Sequence, residues 1–159
     1  MNTLNLMEAT FLYRVNEAIA GPILDKIVAA ISFLGNSGWI FALLALIMLA
    51  IPKTRRQGAI LAIALLLDLL LVNVITKPLL ARPRPYDVLE LIRPVIPLPT
   101  DFSFPSGHTA AAFAAALALR PAGRKHLRPM VIFACVMGLT RKSLLAHSPS
   151  DVLAGAVVG

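Results

Sequence analysis

Residues 59–76 read AILAIALLLDLLLVNVIT and are followed at once by KPLLARPRP at residues 77–85. Apart from the closing Thr76, the apolar run is interrupted only by Asp68 and Asn73. A helix of about 20 such residues crosses the hydrocarbon core of a bilayer. The prolines and arginines that follow cannot lie in hydrocarbon, so we predict a transmembrane helix that opens into an ordered polar loop.

The rest of the chain has the same apolar character. Of its 159 residues, 58% are hydrophobic and only 14% are charged, and the mean hydropathy is +0.79. One soluble domain of this length cannot bury so much Leu, Ile, Ala and Val, so lipid must cover the remainder. We therefore predict an all-α, polytopic helical membrane bundle with about six helices, the last of them short or truncated because a span needs about 20 residues.

Turn-forming residues and charges divide the chain into further helices. Residues 1–20 carry apolar side chains at helical spacing and predict an amphipathic N-terminal helix at the membrane surface. Residues 21–159 are predicted to form one membrane-embedded domain. Its expected helices cover residues 23–34, 39–51, 59–76, 106–119, 129–140 and a short last stretch at 150–159.

The positive charge is placed in short segments between the apolar runs. The net charge is +7, with basic clusters at residues 53–56, 77–93 and 120–128. This placement suits lipid headgroups and phosphates and argues against a nucleic-acid partner. Because cytoplasmic loops are enriched in Lys and Arg, we predict that 53–56 and 120–128 are cytoplasmic and that residues 77–103 and 141–151 face outwards. The single cysteine, Cys135, excludes an intrachain disulfide and a Cys-based metal site.

Three segments on the predicted outer face carry cations and histidines. The first runs from Lys77 to Arg84-Pro85 and places Lys and Arg side chains, which bind phosphate oxygens, at the mouth of a helix. Alone it is also compatible with a basic interfacial belt. The second is residues 104–108, FPSGH, just before an Ala-rich helix whose free N–H groups favour an anion.

In the second segment, Ser106 is a predicted N-cap and hydroxyl donor, Gly107 allows close approach of a ligand, and His108 can act as acid or base. Ser-Gly-His alone is also compatible with a simple helix cap. The third segment contains Arg141, His147 and Asp151. Four residues separate the last two, so on a helix they would share a face, and the carboxylate could accept a hydrogen bond from the imidazole.

Together these segments resemble the three-part pattern of the type 2 phosphatidic acid phosphatase family. That pattern is Lys, six residues, Arg-Pro; then Pro-Ser-Gly-His; then Ser-Arg, five residues, His, three residues, Asp. This chain departs from it at Thr140, which replaces the serine, and residues 142–146 lack the aromatic and glycine residues common in the family.

The resemblance implies an acid phosphatase/vanadium haloperoxidase-like core and a phosphatase domain at 21–159. It also implies that His147 is the nucleophile that forms a phosphohistidine, that Asp151 orients it, and that His108 protonates the leaving oxygen. The phosphate would be held by Lys77, Arg84, Ser106, Gly107 and Arg141. It implies neither a metal nor a cofactor.

We therefore expect a lipid phosphatase in the inner (cytoplasmic) membrane of the cell, with its site facing the extracytoplasmic side. Its partners would be a membrane lipid substrate and the bilayer. Undecaprenyl diphosphate is the first choice of substrate, followed by phosphatidylglycerophosphate and phosphatidic acid. The alternatives are a non-catalytic protein that binds or translocates lipid phosphates and a vanadate-dependent haloperoxidase.

Several polar residues outside the pattern carry weaker expectations. Arg82 could touch the substrate headgroup, and Asp101 could cap a turn. Asp68 and Asn73 are expected to form hydrogen bonds inside the bundle.

Overall fold

The computed structural model describes residues 3–19, 21–34, 38–89, 99–120, 123–143 and 145–159, and these residues contain helices and no strand. The predicted all-α fold is therefore confirmed for this part of the chain. In chain order the helices are α1 Thr3–Ile19, α2 Pro22–Leu34, α3 Trp39–Ala50, α4 Arg55–Asp68, a π-helical segment Leu69–Thr76, α5 Lys77–Leu80, α6 Pro85–Leu89, α7 Gly107–Ala118, α8 Arg124–Ser143 and α9 Pro149–Val158.

The starts of two helices follow from their capping residues. Ser106 precedes α7 and its side chain accepts a hydrogen bond from the Thr109 N–H, as predicted for an N-cap. Ser148 and Asp151 form a reciprocal capping box at the start of α9, where Pro149 occupies the first turn. Both caps lie beside the predicted site, so local sequence fixes the backbone there.

The start of α8 differs from the prediction. Residues 120–128 were expected to form a basic loop, but α8 already begins at Arg124. Pro129 lies inside this helix, where it removes one backbone hydrogen bond without ending the helix. The expected start of the helix at Pro129 was therefore wrong. Proline is common at the first position of a helix, but it can also lie inside one.

Helix α7 is the centre of the bundle. It packs against α4, α8 and α9, and all of its alanines are buried. Alanine side chains let neighbouring helices approach closely, which is the usual way for helices to associate in membranes. The core around it consists of Phe41, Ala45, Leu61, Ala111, Ala112, Ala115, Ala118, Ala134 and Met137.

The outer surface of the bundle is strongly apolar. In the described residues, one helical stretch, Arg55–Leu89, is long and apolar enough to cross a membrane, and only 22% of its most apolar part is buried in the protein. Leu66, Leu67, Leu69 and Leu71 each remain about half exposed. A core helix of a soluble protein would bury such residues, so this surface is suited to lipid.

The two polar residues of the apolar run have different surroundings. The Asn73 amide lies against the start of α7. A Cβ added to Gly107 would be only 3.1 Å from Asn73 Oδ1. Asp68 is buried, and its Oδ1 has no hydrogen-bond partner within the described part of the chain. The expected hydrogen bond inside the bundle is therefore not seen at this oxygen.

Helix α1 packs against α6 and α8. It buries Ala9 and Leu12, whereas Met7, Phe11 and Ile19 stay exposed. An apolar exposed face suits the predicted position at the membrane surface. The boundary at residue 20 between this helix and the rest of the chain stays a prediction.

Close packing of α7 on α9 gives a test of the fold. A Cβ at Gly155 would lie 2.6 Å from the Ser106 carbonyl oxygen, so Gly155→Ala must push the two helices apart. We expect it to destabilise the protein by about 1–3 kcal/mol, the usual effect of overpacking. Thermal unfolding in detergent measures this. Gly21→Ala is the control because its Cβ would meet nothing within 4 Å, and equal unfolding temperatures for both variants would contradict the packing.

Candidate active site

Two cations of the first segment are buried beside each other at the end of the apolar helix. The side chains of Lys77 and Arg84 are only 7% and 3% exposed. Both pair with one carboxylate, that of Asp101: Lys77 Nζ with Oδ2, and Arg84 Nη2 with Oδ1 at 2.6 Å. Arg84 Nε also donates to the Asp101 carbonyl at 2.8 Å. Asp101 was expected only to cap a turn, so this double ion pair was missed.

The charge state of Asp101 follows from these partners. Its burial alone would raise the pKa, but the hydrogen bond and charge of Lys77, together with those of Arg84, outweigh burial and lower the pKa to about 2. The carboxylate is therefore ionised at neutral pH. Asp101 acts as an anion bound to the two cations that the sequence assigns to phosphate.

His147 lies next to Arg84, although 63 residues separate them in the chain. The imidazole is buried, and its Nδ1 is 2.8 Å from the Ser103 carbonyl oxygen. A carbonyl oxygen only accepts hydrogen bonds, so Nδ1 carries the proton and Nε2 of the neutral ring keeps its lone pair. Nε2 is 3.4 Å from Arg84 Nη1. The nitrogen that can act as a nucleophile therefore faces Arg84, a cation that the sequence predicts to bind phosphate.

The contact between His147 and Asp151 differs from the expected one. His147 precedes α9 and does not share a helical face with Asp151. Asp151 Oδ2 accepts from the Ser148 N–H at 2.7 Å and from the Ser103 hydroxyl, and it is 3.8 Å from His147 Nδ1. Of these two oxygens, the Ser103 carbonyl is therefore the nearer to His147 Nδ1, and Asp151 helps to hold Ser103 in place. Ser103 was missed because it lies outside all three segments.

The second segment lies between the third segment and the helix that precedes the first. The Ser106 N–H donates to the Asp151 carbonyl at 3.0 Å, and the Ser106 hydroxyl caps α7. Gly107 lies against Asn73, one helical turn before Lys77. His108 follows in the first turn of α7 and is half-buried. The structure thus connects the α7 N-terminus to the third segment and to the helix that leads into the first.

Phosphate binding by Arg141 and a reaction without a metal ion both stay predictions. Arg141 belongs to the last turn of α8, but its side chain lies outside the described part of the structure. In the described residues, no group of three or more His, Cys, Asp or Glu side chains could hold a metal ion.

Comparison with known proteins identifies the family. Residues 57–159 match the PAP2 superfamily. The chain belongs to the PAP2 superfamily. The family membership predicted from the three segments is therefore confirmed. The protein is a phosphatase of the lipid-phosphatase type.

Curated relatives of this PAP2 phosphatase support the assignment. The undecaprenyl-diphosphatase BcrC of Bacillus subtilis is 31% identical over 92% of this chain and 77% of its own length. An undecaprenyl-diphosphatase of Sulfolobus acidocaldarius is 30% identical over 71% of this chain and 55% of its own length. A decaprenylphosphoryl-5-phosphoribose phosphatase of Mycobacterium tuberculosis is 35% identical over 77% of this chain and 66% of its own length.

Two solved structures share the fold of this PAP2 phosphatase. A transmembrane PAP2 type phosphatidylglycerolphosphate phosphatase from Bacillus subtilis superposes with a TM-score of 0.77 at 24% identity, covering 98% of this chain and 80% of that one. LpxE of Aquifex aeolicus also gives a TM-score of 0.77, at 28% identity, and the match covers 94% of this chain and 88% of LpxE. The predicted fold class is therefore confirmed.

The PAP2 phosphatase also contains a buried network that sequence reasoning missed. Arg82, which the sequence suggested could touch the substrate headgroup, donates from Nη1 to Asp151 Oδ1 and Ser150 Oγ, both at 2.6 Å. Its Nη2 pairs with Glu8 and its Nε donates to Asn5 Oδ1 at 3.0 Å. Helix α1 is thereby tied to the third segment. Asn5 and Glu8 lie three residues apart on α1, a spacing that is equally typical of a solvated helix face.

The network predicts a large effect of Arg82→Met. The change leaves the carboxylates of Glu8 and Asp151, which are 16% and 0% exposed, without their shared cation. Breaking a buried pair on one side typically costs about 3–5 kcal/mol, so we expect a lower unfolding temperature and reduced phosphate release. Arg128→Met, at an exposed position of α8, is the matched control. Equal stability of both variants would show that the network contributes nothing.

Proposed function

We propose that this PAP2 phosphatase removes the terminal phosphate of a polyprenyl diphosphate through a phosphohistidine at His147. The observation that carries the proposal is the geometry of this ring: Nδ1 is bound to the Ser103 carbonyl, and Nε2 is 3.4 Å from Arg84 Nη1. A phosphate bound to Arg84 would therefore lie next to a nitrogen whose lone pair can attack phosphorus.

Undecaprenyl diphosphate is our first choice of substrate. Two of the relatives described above are named undecaprenyl-diphosphatases, and the third is named for a decaprenylphosphoryl substrate. The exposed leucines of the long helix offer an apolar surface to a lipid chain close to Lys77. Phosphatidylglycerophosphate and phosphatidic acid follow as second choices.

In the first proposed step, His147 Nε2 attacks the terminal phosphorus. A nitrogen–phosphorus bond forms, and the bond from phosphorus to the bridging oxygen breaks, so that the lipid monophosphate leaves. His108 donates a proton to the leaving oxygen. Charge on the transferred phosphoryl group is stabilised by the cations and N–H donors of the three segments, namely Lys77, Arg84, Arg141, Ser106 and Gly107.

In the second step, water attacks the phosphohistidine. His108, now deprotonated, accepts a proton from the water, the nitrogen–phosphorus bond breaks, and inorganic phosphate leaves. Throughout, Nδ1 keeps its proton and donates a hydrogen bond to the Ser103 carbonyl, while the Asp151 carboxylate at 3.8 Å adds negative charge beside the ring. This charge stabilises the imidazole while it carries the phosphoryl group.

Phosphate release from undecaprenyl diphosphate by the purified protein in detergent tests the reaction. We expect release in the presence of a chelator and a loss of about a thousandfold or more in His147→Ala, because the nucleophile is removed. His126→Ala is the matched control, since this histidine lies outside the three segments.

Each alternative has its own result in this assay. No release by the original chain would favour a lipid-phosphate binder or translocator. Loss of release on chelation would refute the metal-free mechanism, and bromide oxidation dependent on vanadate and peroxide would identify a haloperoxidase.

We further propose a multi-pass arrangement with the site on the extracytoplasmic face, based on the basic residues between α3 and α4. The exposed Cys135 is first replaced by serine, and single cysteines are then placed at the exposed positions Thr100 and Lys53. In whole cells, a membrane-impermeant thiol reagent should label Thr100→Cys and spare Lys53→Cys. The reverse pattern would contradict the orientation.

A further inference from the structure

We propose that Asp101 is a built-in competitor of phosphate, which occupies the phosphate-binding cations between turnovers and keeps weakly bound anions out of the site. The proposal rests on the proposed function, since it takes Lys77 and Arg84 as ligands of the substrate phosphate. It assigns a role to a residue that lies outside the three sequence segments.

The geometry of Asp101 resembles that of a bound anion. Its two carboxylate oxygens are divided between the two cations, Oδ2 on Lys77 and Oδ1 on Arg84. Two oxygens of a phosphate group would make the same two contacts. The carboxylate and a substrate phosphate therefore cannot both hold these donors.

Exposure shows which member of the cluster can move. The Asp101 side chain is 50% exposed, whereas those of Lys77 and Arg84 are 7% and 3% exposed. Asp101 thus covers the cations on the solvent side, and an entering anion meets it first. The cations themselves are held by the surrounding protein.

A neighbouring groove gives the carboxylate a place to go. Asp101 lines an open groove of about 470 Å³ together with Pro83, Tyr86 and Phe102. Its backbone carbonyl stays bound to Arg84 Nε at 2.8 Å, so the loop is anchored independently of the carboxylate. Rotation of the side chain is enough to free both cations.

Competition of this kind weakens the apparent affinity of every anion by the same factor, the fraction of molecules in which the cations are free. An attached carboxylate has a high effective concentration, so the factor is large enough to matter. A terminal phosphate carries close to two negative charges at neutral pH and binds two cations strongly. A phosphodiester headgroup carries one charge and binds the two cations more weakly. It therefore occupies the site in only a small fraction of molecules, although such lipids surround the protein. When Asp101 returns to the cations, it also helps the product phosphate to leave.

The test compares Asp101→Asn with Asp87→Asn in the full chain in detergent micelles. Both changes remove one negative charge from the same groove, but the Asp87 carboxylate contacts the Arg84 backbone N–H and neither cationic side chain. Inhibition of phosphate release is measured with inorganic phosphate and with phosphatidylglycerol, a phosphodiester lipid, added to the micelles. Binding of inorganic phosphate is measured separately from the rise in unfolding temperature.

We expect Asp101→Asn to lower the inhibition constants of both anions by a similar factor of about tenfold, while Asp87→Asn and Asp101→Glu behave like the original chain. Unchanged or raised constants in Asp101→Asn would overturn the proposal, the latter by showing that Asp101 positions the cations. Should Asp101→Asn fail to fold, Asp101→Ser is measured instead. Failure of both would likewise show that the carboxylate is needed to hold the site together.

The two proposals fail in different ways. If the original chain releases no phosphate from the lipid diphosphate, the proposed function fails, and the unfolding-temperature assay still reports whether Asp101→Asn binds inorganic phosphate more tightly. If release is normal and the constants do not fall, only the role of Asp101 is wrong.

Discussion

The structure depends on the pairing of three cations that are almost wholly withdrawn from water at the end of an apolar helix. Lys77, Arg82 and Arg84 are each at most 12% exposed, and an unpaired charge in such a place costs several kcal/mol. Their carboxylate partners come from distant parts of the chain: Asp101 from the loop before α7, and Asp151 and Glu8 from α9 and α1. Satisfying these charges therefore brings four separate segments together.

Packing and chemistry are linked through the start of α7. Its buried alanines allow α4, α8 and α9 to approach, and the absence of a side chain at Gly155 lets α9 reach the Ser106 carbonyl. The same close approach places the Ser106 N–H on the Asp151 carbonyl and the Ser103 hydroxyl on its carboxylate. The Ser103 carbonyl then determines which imidazole nitrogen of His147 carries the proton. Small residues in the bundle thus have a direct consequence at the candidate nucleophile.

Sequence reasoning was most successful where the signal is local. The apolar run at 59–76 and the N-cap at Ser106 follow from periodicity and capping chemistry, and the three segments identified the family. It failed where contacts join distant residues. No periodicity shows that Arg82 meets Glu8, 74 residues away, or that Ser103 meets His147, 44 residues away. The predicted contact between His147 and Asp151 assumed a helix that begins only at Pro149, after His147.

In the proposed reaction, His147 Nε2 receives the phosphoryl group. The most direct measurement is rapid quenching of the purified protein with lipid diphosphate labelled on its terminal phosphate, followed by peptide mapping. We expect an acid-labile, alkali-stable phosphohistidine on the peptide that contains His147, formed and lost at rates consistent with turnover. Label on another residue, or turnover with no labelled protein at any time, would contradict it.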